Sequence, residues 1–197
     1  MKFDIVLAGV GGQGVLSLSS IIAAGALDAG LFVKQSEVHG MAQRGGAVTA
    51  HLRLSDAPIA SDLVPLGAAS MILSLEPLES LRYLGYLSPG GAVVTATQPV
   101  ANIDDYPAMD RLLESIRSLP RAYLVDAAML AKRAGLAQAT NMVMAGAAAR
   151  WLPLPADAIE RCIEQRFARK GAAVVQKNLA AFRAGREEVE ASCLEPR

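Results

Sequence analysis

The sequence predicts an α/β protein, specifically a Rossmann-like α/β/α domain in which helices cover both faces of a mostly parallel sheet. Three observations predict this class. A short apolar run, Ile5-Val6-Leu7, comes directly before a glycine-rich turn and a helical pattern over residues 15–29. Strand and helix patterns then alternate over the first two thirds of the chain. The last third contains only helical patterns, so we expect C-terminal helices to pack beside the sheet.

Strand patterns recur along the chain and are short enough to be buried in a sheet. They lie at residues 31–36, 47–54, 70–75, 92–97 and 122–125. The strand at 47–54 follows its predecessor after a loop alone, so the two should pair antiparallel and make the sheet mixed. Its side chains alternate in polarity, which is typical of a half-exposed strand and makes His51 a surface or packing residue. Little periodicity over residues 37–46 predicts a loop, and Ser-Pro-Gly-Gly at 88–91 predicts a turn.

Helical patterns fill the intervals between these strands and the end of the chain. They lie at residues 77–86, 109–119, 127–134, 140–151, 155–168 and 172–184. Pro77 suits a first helical turn, Asp126 is a candidate N-cap, and Gly135 a candidate C-terminal stop. The residues after Gly185 are polar, so we expect them to fray. We therefore assign residues 1–188 to a single domain and residues 189–197 to a frayed tail.

Composition excludes several classes of function. The 197 residues include 19 basic and 19 acidic side chains and no basic tract, which argues against a nucleic-acid partner. No apolar run is long enough to span a membrane. Cys162 and Cys193 lie far apart without metal-ligand spacing, which favours two reduced thiols in a cytoplasmic protein. The 52% hydrophobic content, rich in alanine, fits either surfaces buried against other subunits or close helix packing.

The glycine-rich turn contains the pattern G-x-G-x-x-G and is the first candidate binding site. Its residues are Gly9, Gly11, Gly12, Gln13 and Gly14. A dinucleotide site would need an acid at the end of the second strand to hold a ribose, and Glu37 is the nearest candidate. The alternative is that the glycines only shape a tight turn beneath a helix. The Gln13 amide could donate to a ligand or reach the backbone of a partner.

A second candidate site lies in the stretch Glu-Val-His-Gly-Met-Ala-Gln-Arg-Gly-Gly over residues 37–46. His39 can transfer protons near neutral pH, and Arg44 offers a forked donor for a carboxylate or phosphate. Backbone amides of three glycines could line the same place, namely Gly40, Gly45 and Gly46. Alternatively, Arg44 forms a structural ion pair with Glu37. No nucleophile elbow, Walker lysine, paired-carboxylate site or cysteine cluster is present in the sequence.

Three motifs together resemble one protein family. They are GVGGQGV at residues 9–15, SEVHGMAQRGG at 36–46 followed by VTAHLR at 48–53, and NMVMAGA at 141–147. This combination is similar to the gamma domain of 2-oxoacid:ferredoxin oxidoreductases, above all to the indolepyruvate type. The resemblance runs from Met1 to Gly185 and covers nearly the whole chain. It implies that the motif residues named above, together with Asn141, form the family's functional positions.

The resemblance implies a reaction that this chain cannot perform alone. The family oxidatively decarboxylates 2-oxoacids to acyl-CoA with thiamine diphosphate, coenzyme A, iron–sulfur clusters and ferredoxin. Arylpyruvates are the substrates of the indolepyruvate type. Thiamine diphosphate and the clusters would belong to a larger catalytic subunit, whose active site this chain would complete without a redox group of its own. The isolated chain could form a homodimer.

What the motifs contact stays open on the sequence alone. Arg44 and the amides of Gly12 and Gly14 could meet the phosphates of coenzyme A or the carboxylate of the oxoacid. Alternatively, both glycine loops form an interface with the larger subunit. Two other functions also remain: a nucleotide-binding oxidoreductase acting alone, and a structural subunit of a phenylglyoxylate or 2-oxoglutarate system.

Overall fold

A computed structural model describes residues 1–39, 46–101 and 103–192. Across these residues six strands and seven α-helices follow one another along the chain. The strands are β1 (Lys2–Val10), β2 (Phe32–His39), β3 (Ala47–Ser55), β4 (Ala69–Ser74), β5 (Leu87–Ala96) and β6 (Ala122–Val125). The helices are α1 (Val15–Asp28), α2 (Pro77–Arg82), α3 (Met109–Arg117), α4 (Ala127–Arg133), α5 (Thr140–Ala149), α6 (Ala156–Phe167) and α7 (Ala172–Ser192).

The six strands form one mixed sheet in the order β2-β3-β1-β4-β5-β6. β1, β4, β5 and β6 pair in parallel, whereas β3 is antiparallel to both of its neighbours, β1 and β2. The Rossmann-like α/β prediction with a mixed sheet is therefore confirmed. A consequence for function is that β2, which would adjoin β1 in a dinucleotide-binding fold, is separated from it here by β3.

Two hydrophobic cores flank the sheet, as the alternation of side chains along β1 requires. Ile5 and Leu7 point into the larger core, which is built with α1 and α4–α7, and Val6 points into the smaller core with α3. α5 packs against β4 and β5, and α7 packs against α5 and also contacts β6. α1 and α4–α7 thus cover one face of the sheet, whereas α2 and α3 cover the other face.

β2 and β3 differ from the sequence prediction because β3 is an interior strand. Residues 37–39 were predicted as loop, but β2 continues through His39 because these residues pair with the start of β3. β3 was predicted half-exposed, yet Thr49 to Ser55 are all buried. Its polar side chains must therefore find partners inside the protein, since an unpaired buried polar group is strongly destabilising.

Two of those polar side chains attach the loop that follows β3. Arg53 forms an ion pair with Asp4 at 2.9 Å and donates from Nη1 to the carbonyl oxygens of residues 61 and 63. His51 is 6% exposed, and its Nδ1 accepts a hydrogen bond from the Val64 amide at 2.9 Å. The packing alternative for His51 is thus the one that the structure supports.

Two boundaries of the fold lie elsewhere than predicted. β5 begins at Leu87, so the predicted turn at 88–91 lies inside an irregular part of the strand, between the Ala69–Leu87 and Met71–Ala92 pairs. α7 extends to Ser192, and Val189 is 2% exposed against the larger core. The prediction that the chain frays after Gly185 is therefore wrong for the residues up to 192. Residues 193–197 lie outside the described residues. The assignment of residues 1–188 to one domain stays a prediction.

Candidate functional site

The glycine turn between β1 and α1 lies at the carboxyl edge of the parallel strands, where ligands usually bind in α/β sheets. Gly12 and Gly14 have φ angles of 103° and 88°, in the left-handed region that glycine adopts without strain. α1 begins after Gly14 without a side-chain cap. The amides of its first turn are consequently available to an anion, because they have no acceptor within the helix.

Gln13 has a structural role that the sequence did not reveal. Its Oε1 accepts a hydrogen bond from the Val10 amide at 2.7 Å, and its Nε2 donates to the Leu75 carbonyl at 2.9 Å. The side chain therefore ties the turn to the end of β4. A Cβ at Gly9 would lie 2.8 Å from Val15 Cγ2 and 2.9 Å from Gln13 Oε1, so a larger residue there would push both side chains aside. Gln13 crosses the gap between β1 and β4 in which a Rossmann fold would hold a nucleotide.

The second motif meets the first through the backbone. The Gly11 amide donates to the Gly46 carbonyl at 2.9 Å, which joins the glycine turn to the start of β3. His39 is the last residue of β2 and pairs with Val48 of β3. Val48 also pairs with Gly9 of β1, so the backbone of His39 lies at the same edge of the sheet as the glycine turn. Gly40, Arg44 and Gly45 belong to residues 40–45, which lie outside the described residues.

Glu37 does not occupy the position that a ribose-binding acid needs. It is exposed on β2, where it accepts a hydrogen bond from Gln35 Nε2. It pairs with Ala50, which pairs with Leu7, so two strand spacings separate Glu37 from β1. At about 4.8 Å per spacing this places its backbone about 10 Å from β1. The geometry does not support the dinucleotide interpretation of the glycine motif.

Asn141, from the third motif, lies against the glycine turn. It belongs to the first turn of α5, and its Nδ2 lies 2.7 Å from the point that a Cβ on Gly14 would occupy. A side chain at position 14 would thus displace Asn141. The structure therefore brings together seven of the candidate residues, and these are Gly9, Gly11, Gly12, Gln13, Gly14, Gly46 and Asn141. The backbone of His39 lies at the same edge of the sheet, and Glu37 lies away from the turn.

Sequence reasoning missed the carboxylate that organises the neighbouring part of this edge. Glu76 follows β4, is 1% exposed, and caps α2 by accepting a hydrogen bond from the Glu79 amide at 2.8 Å. Its other oxygen accepts hydrogen bonds from Tyr106 Oη and, at 3.4 Å, from the Val100 amide. Burial and the hydrogen bond to Glu76 raise the pKa of Tyr106 above its usual range, so the phenol stays protonated as a donor. The sequence signal that could have identified this helix cap is an acidic residue placed between a buried strand and Pro77.

The family follows from comparison with known proteins. The family model of pyruvate ferredoxin/flavodoxin oxidoreductase matches residues 4–188. The chain belongs to this family. It is 37% identical over 194 residues to the indolepyruvate oxidoreductase subunit IorB of Archaeoglobus fulgidus, covering 94% of each chain. It is 36% identical to the IorB subunit of Pyrococcus horikoshii, covering 93% of this chain and 94% of that one. The 2-oxoglutarate synthase subunit KorC of Methanothermobacter thermautotrophicus is 30% identical, covering 95% of each.

Solved structures share the fold of this family member. The pyruvate oxidoreductase subunit PORC of Thermotoga maritima has a TM-score of 0.74 at 24% identity, covering 95% of this chain and 96% of that one. The gamma subunit of a Geobacter sulfurreducens keto/oxoacid ferredoxin oxidoreductase has a TM-score of 0.71 at 23% identity, covering 96% and 99%. The 2-oxoglutarate:ferredoxin oxidoreductase of Magnetococcus marinus has a TM-score of 0.77 at 22% identity; this chain is 96% covered but spans 31% of that longer chain.

The residues of this family member do not fit an iron–sulfur cluster. Such clusters are held by about four cysteine thiolates, and the sequence has two. Cys162 is buried in α6, where desolvation raises the pKa of its thiol and disfavours the thiolate that binds metal. Within residues 1–39, 46–101 and 103–192, no three metal-binding side chains form a group, and no helix has the length and apolar character to cross a bilayer.

Proposed function

We propose that this chain is the small subunit of an indolepyruvate:ferredoxin oxidoreductase. The complex converts an arylpyruvate, coenzyme A and two oxidised ferredoxins into arylacetyl-CoA, carbon dioxide, a proton and two reduced ferredoxins. The observation that carries the proposal is the 37% identity to an IorB subunit over 94% of both chains. Identity to a 2-oxoglutarate synthase subunit is lower, at 30% over a similar length.

The larger subunit supplies the redox groups in this proposal. Two cysteines, one of them buried with a raised pKa, are a poor ligand set for a cluster, and the sequence lacks the Gly-Asp-Gly motif typical of thiamine diphosphate sites. The chemistry that thiamine diphosphate would supply in the larger subunit is carbanion stabilisation. The present chain then positions substrates and closes the site. The reduced thiols fit a cytoplasmic complex.

The carboxyl edge offers this chain a means to hold the anionic substrates. The uncapped start of α1 presents backbone amides, and Arg44 belongs to the short segment between His39 and Gly46, both of which lie at that edge. Coenzyme A carries phosphates and the oxoacid carries a carboxylate, which suit amides and a guanidinium. His39 is the candidate for moving a proton near the substrate.

Substrate preference of the assembled complex tests the proposal. The chain is co-expressed with its larger subunit, and ferredoxin reduction is followed with indolepyruvate, phenylpyruvate, phenylglyoxylate, pyruvate and 2-oxoglutarate, each with coenzyme A. We expect the highest kcat/KM with the two arylpyruvates and no turnover when this chain is omitted. A preference for 2-oxoglutarate or pyruvate would assign the chain to another branch of the family.

Arg44→Ala tests whether the second motif contacts substrate. We expect a higher apparent KM for coenzyme A or for the oxoacid in the assembled complex, because an anion loses its forked donor. Arg150→Ala, at an exposed arginine at the far end of α5 from Asn141, is the control and should leave both KM values unchanged. Unchanged kinetics of an intact Arg44→Ala complex would exclude this role.

The interface alternative makes a different prediction. If the glycine loops pack against the larger subunit, Gly45→Val should abolish co-purification of the two subunits, since a branched side chain prevents close approach of the backbones. Normal assembly with normal turnover would exclude the interface at that position.

A nucleotide-binding oxidoreductase acting alone is the second candidate function, and the G-x-G-x-x-G pattern is the observation that favours it. The position of Gln13 between β1 and β4 and the distance of Glu37 from β1 weigh against it. Titration of the isolated chain with NAD(H) and NADP(H) distinguishes the two functions. We expect no tight binding.

A further inference from the structure

The sheet has one long edge without a strand partner among the residues that the structure describes. This edge is the outer side of β2, which pairs with β3 on its inner side. β2 has eight residues, holds one continuous register with β3 and contains neither proline nor glycine. Proteins usually protect edges with short strands, bulges, proline or charge, because unpaired amides and carbonyls recruit another strand. The opposite edge strand, β6, has four residues and is protected by its shortness, whereas β2 has only the charges of Lys34 and Glu37.

One face of the sheet is also open beside this edge. α1 packs against β2 and β3, whereas α2 and α3 pack mainly against β1, β4, β5 and β6. Phe32 is opposite Ser55, which is opposite Lys2, so Phe32 lies on the same face as Val6 of the smaller core. Its side chain is 48% exposed there. A strand added to β2 would therefore pair the free edge and cover part of an aromatic ring.

A second copy of β2 can supply that strand, and symmetry restricts how it pairs. Residues directly opposite each other in an antiparallel pair point to the same face of the sheet. A two-fold axis between two copies of β2 must therefore pass between one residue and its own copy. Centring on Lys34 or Glu37 would oppose two like charges, which is destabilising. Centring on Ser36 would place Phe32 beyond the end of the other β2, and centres nearer either end pair fewer residues.

The register centred on Gln35 avoids these problems. It places Lys34 opposite Ser36 of the second copy, and Glu37 opposite Val33. No like charges are then opposed across the two strands. The middle of β2 is therefore complementary to its own copy in this register alone.

The same register pairs the apolar ends of the strand. Phe32 lies opposite Val38 of the second copy, and the two-fold axis repeats this pair at the other end of the ladder. We propose that two copies of this chain associate through β2 as an antiparallel pair centred on Gln35. The two six-stranded sheets then become continuous. Their carboxyl edges point in opposite directions, so the two glycine turns lie at opposite edges of the joined sheet.

Disulfide trapping tests the register in the full chain. Gln35→Cys is introduced together with Cys193→Ser, and the purified protein is oxidised and analysed by non-reducing electrophoresis. Opposite residues in an antiparallel pair have Cα atoms about 4.5–5.5 Å apart, which a disulfide can span. We expect a cross-linked dimer from Gln35→Cys. Glu37→Cys in the same background is the matched control and should give none, because the two copies of residue 37 lie about 13 Å apart along the strands. Any other pattern, including cross-linking at both positions, would overturn the proposal.

Sedimentation equilibrium measures the strength of the pairing. We expect the unmodified chain to be a dimer at about 100 μM. Gln35→Lys/Ser36→Lys should weaken the dimer by about tenfold or more, because lysines then oppose each other at the axis and opposite Lys34 on both sides. Gln165→Lys/Ser115→Lys makes the same charge change at exposed positions on α6 and α3 and should have no effect. A monomeric parent chain, or equal dissociation constants for all three proteins, would overturn the proposal. Disulfide trapping decides the register if the double variant on β2 does not fold.

The complex with the larger subunit tests the competing occupant of this edge, and this arm alone rests on the proposed function. A photo-reactive benzoylphenylalanine is placed at position 35, and the co-purified complex is irradiated. We expect it to link two copies of this chain. Cross-linking to the larger subunit instead would assign the edge to a strand of that subunit and overturn pairing between copies. Failure of the two subunits to co-purify contradicts the proposed function and leaves the first two tests of the pairing unaffected.

Discussion

Two glycines let α5 and α7 cross with their backbones in contact, and substituting either one should destabilise the protein strongly. A Cβ on Gly146 would lie 1.8 Å from the Phe182 carbonyl oxygen, and one on Gly185 would lie 1.9 Å from the Val143 carbonyl oxygen. Real Cβ atoms essentially never come within 3.0 Å of such an atom. Neither contact involves the end of a flexible side chain, so the helices themselves must move apart.

The size of the effect follows from that movement. Relieving either contact requires the helices to separate by about 1 Å, which forfeits a quarter to a half of the dispersion energy of atoms along the crossing. Phe182 and Val143 are fully buried there. Overpacking typically costs about 1–3 kcal/mol, and a rigid backbone contact belongs at the upper end of that range. Alanine regains about 1 kcal/mol of helix propensity. We expect a net loss of about 2 kcal/mol.

Urea denaturation of the full chain measures this loss, and the fluorescence of Trp151, the single tryptophan, reports on the transition. Gly146→Ala should lower the midpoint by about 1 M at a typical urea dependence of about 2 kcal/mol per M. Gly90→Ala is the control, because a Cβ there meets nothing within 4 Å. Gly146→Ala/Gly185→Ala should lose less than the sum of the single changes, because both separate the same helices. A Gly146→Ala variant within about 0.5 kcal/mol of the parent would refute the close crossing.

Three further predictions concern polar side chains with hydrogen-bond or ion-pair partners inside the fold. Gln13→Leu should destabilise the chain by about 1–3 kcal/mol in urea, because the Leu75 carbonyl loses its donor. Burial lowers the pKa of His51 from 6.5, so below that pH the unfolded chain binds more protons than the folded one. Stability should therefore fall as the pH drops below about 6.5, by at most about 1.4 kcal/mol per pH unit, and His51→Gln should flatten this slope in urea titrations. Arg53→Met should lower stability by up to about 3–5 kcal/mol, because buried Asp4 would keep only the exposed Lys2 as an ion-pair partner, and Asp4→Asn/Arg53→Met should recover part of that loss.

Sequence patterns predicted the fold well wherever short-range chemistry determines structure. The glycine turn, the Asp126 cap and β6 over Ala122–Val125 all depend on neighbouring residues, and the structure has them where they were predicted. Burial of β3 was missed because it depends on which strands lie on either side, and that order is not encoded in local alternation. The extension of α7 to Ser192 was missed because the polar residues after Gly185 hid the buried position of Val189.

Prediction of the candidate site from the sequence was limited in the same way, because its contacts join residues that are distant along the chain. The sequence identified the glycine turn and Asn141, but their contact joins residues more than a hundred positions apart and needed the structure. Gln13 was expected to meet a ligand or partner, whereas two hydrogen bonds hold it inside the fold. A motif identifies the residues that lie at a site, and their hydrogen-bond partners decide which of them are available to a ligand.

Insertion of β3 makes the surroundings of the glycine motif differ from those in a dinucleotide-binding fold. An antiparallel strand beside β1 must start at the edge where β1 ends, so Gly46 and the start of β3 lie beside the glycine turn. The Gly11–Gly46 hydrogen bond is the direct result. The same strand displaces β2 and removes Glu37 from reach of a ribose. One change of topology therefore puts an antiparallel strand, with Gly46 at its start, where a dinucleotide-binding fold has β2 beside β1.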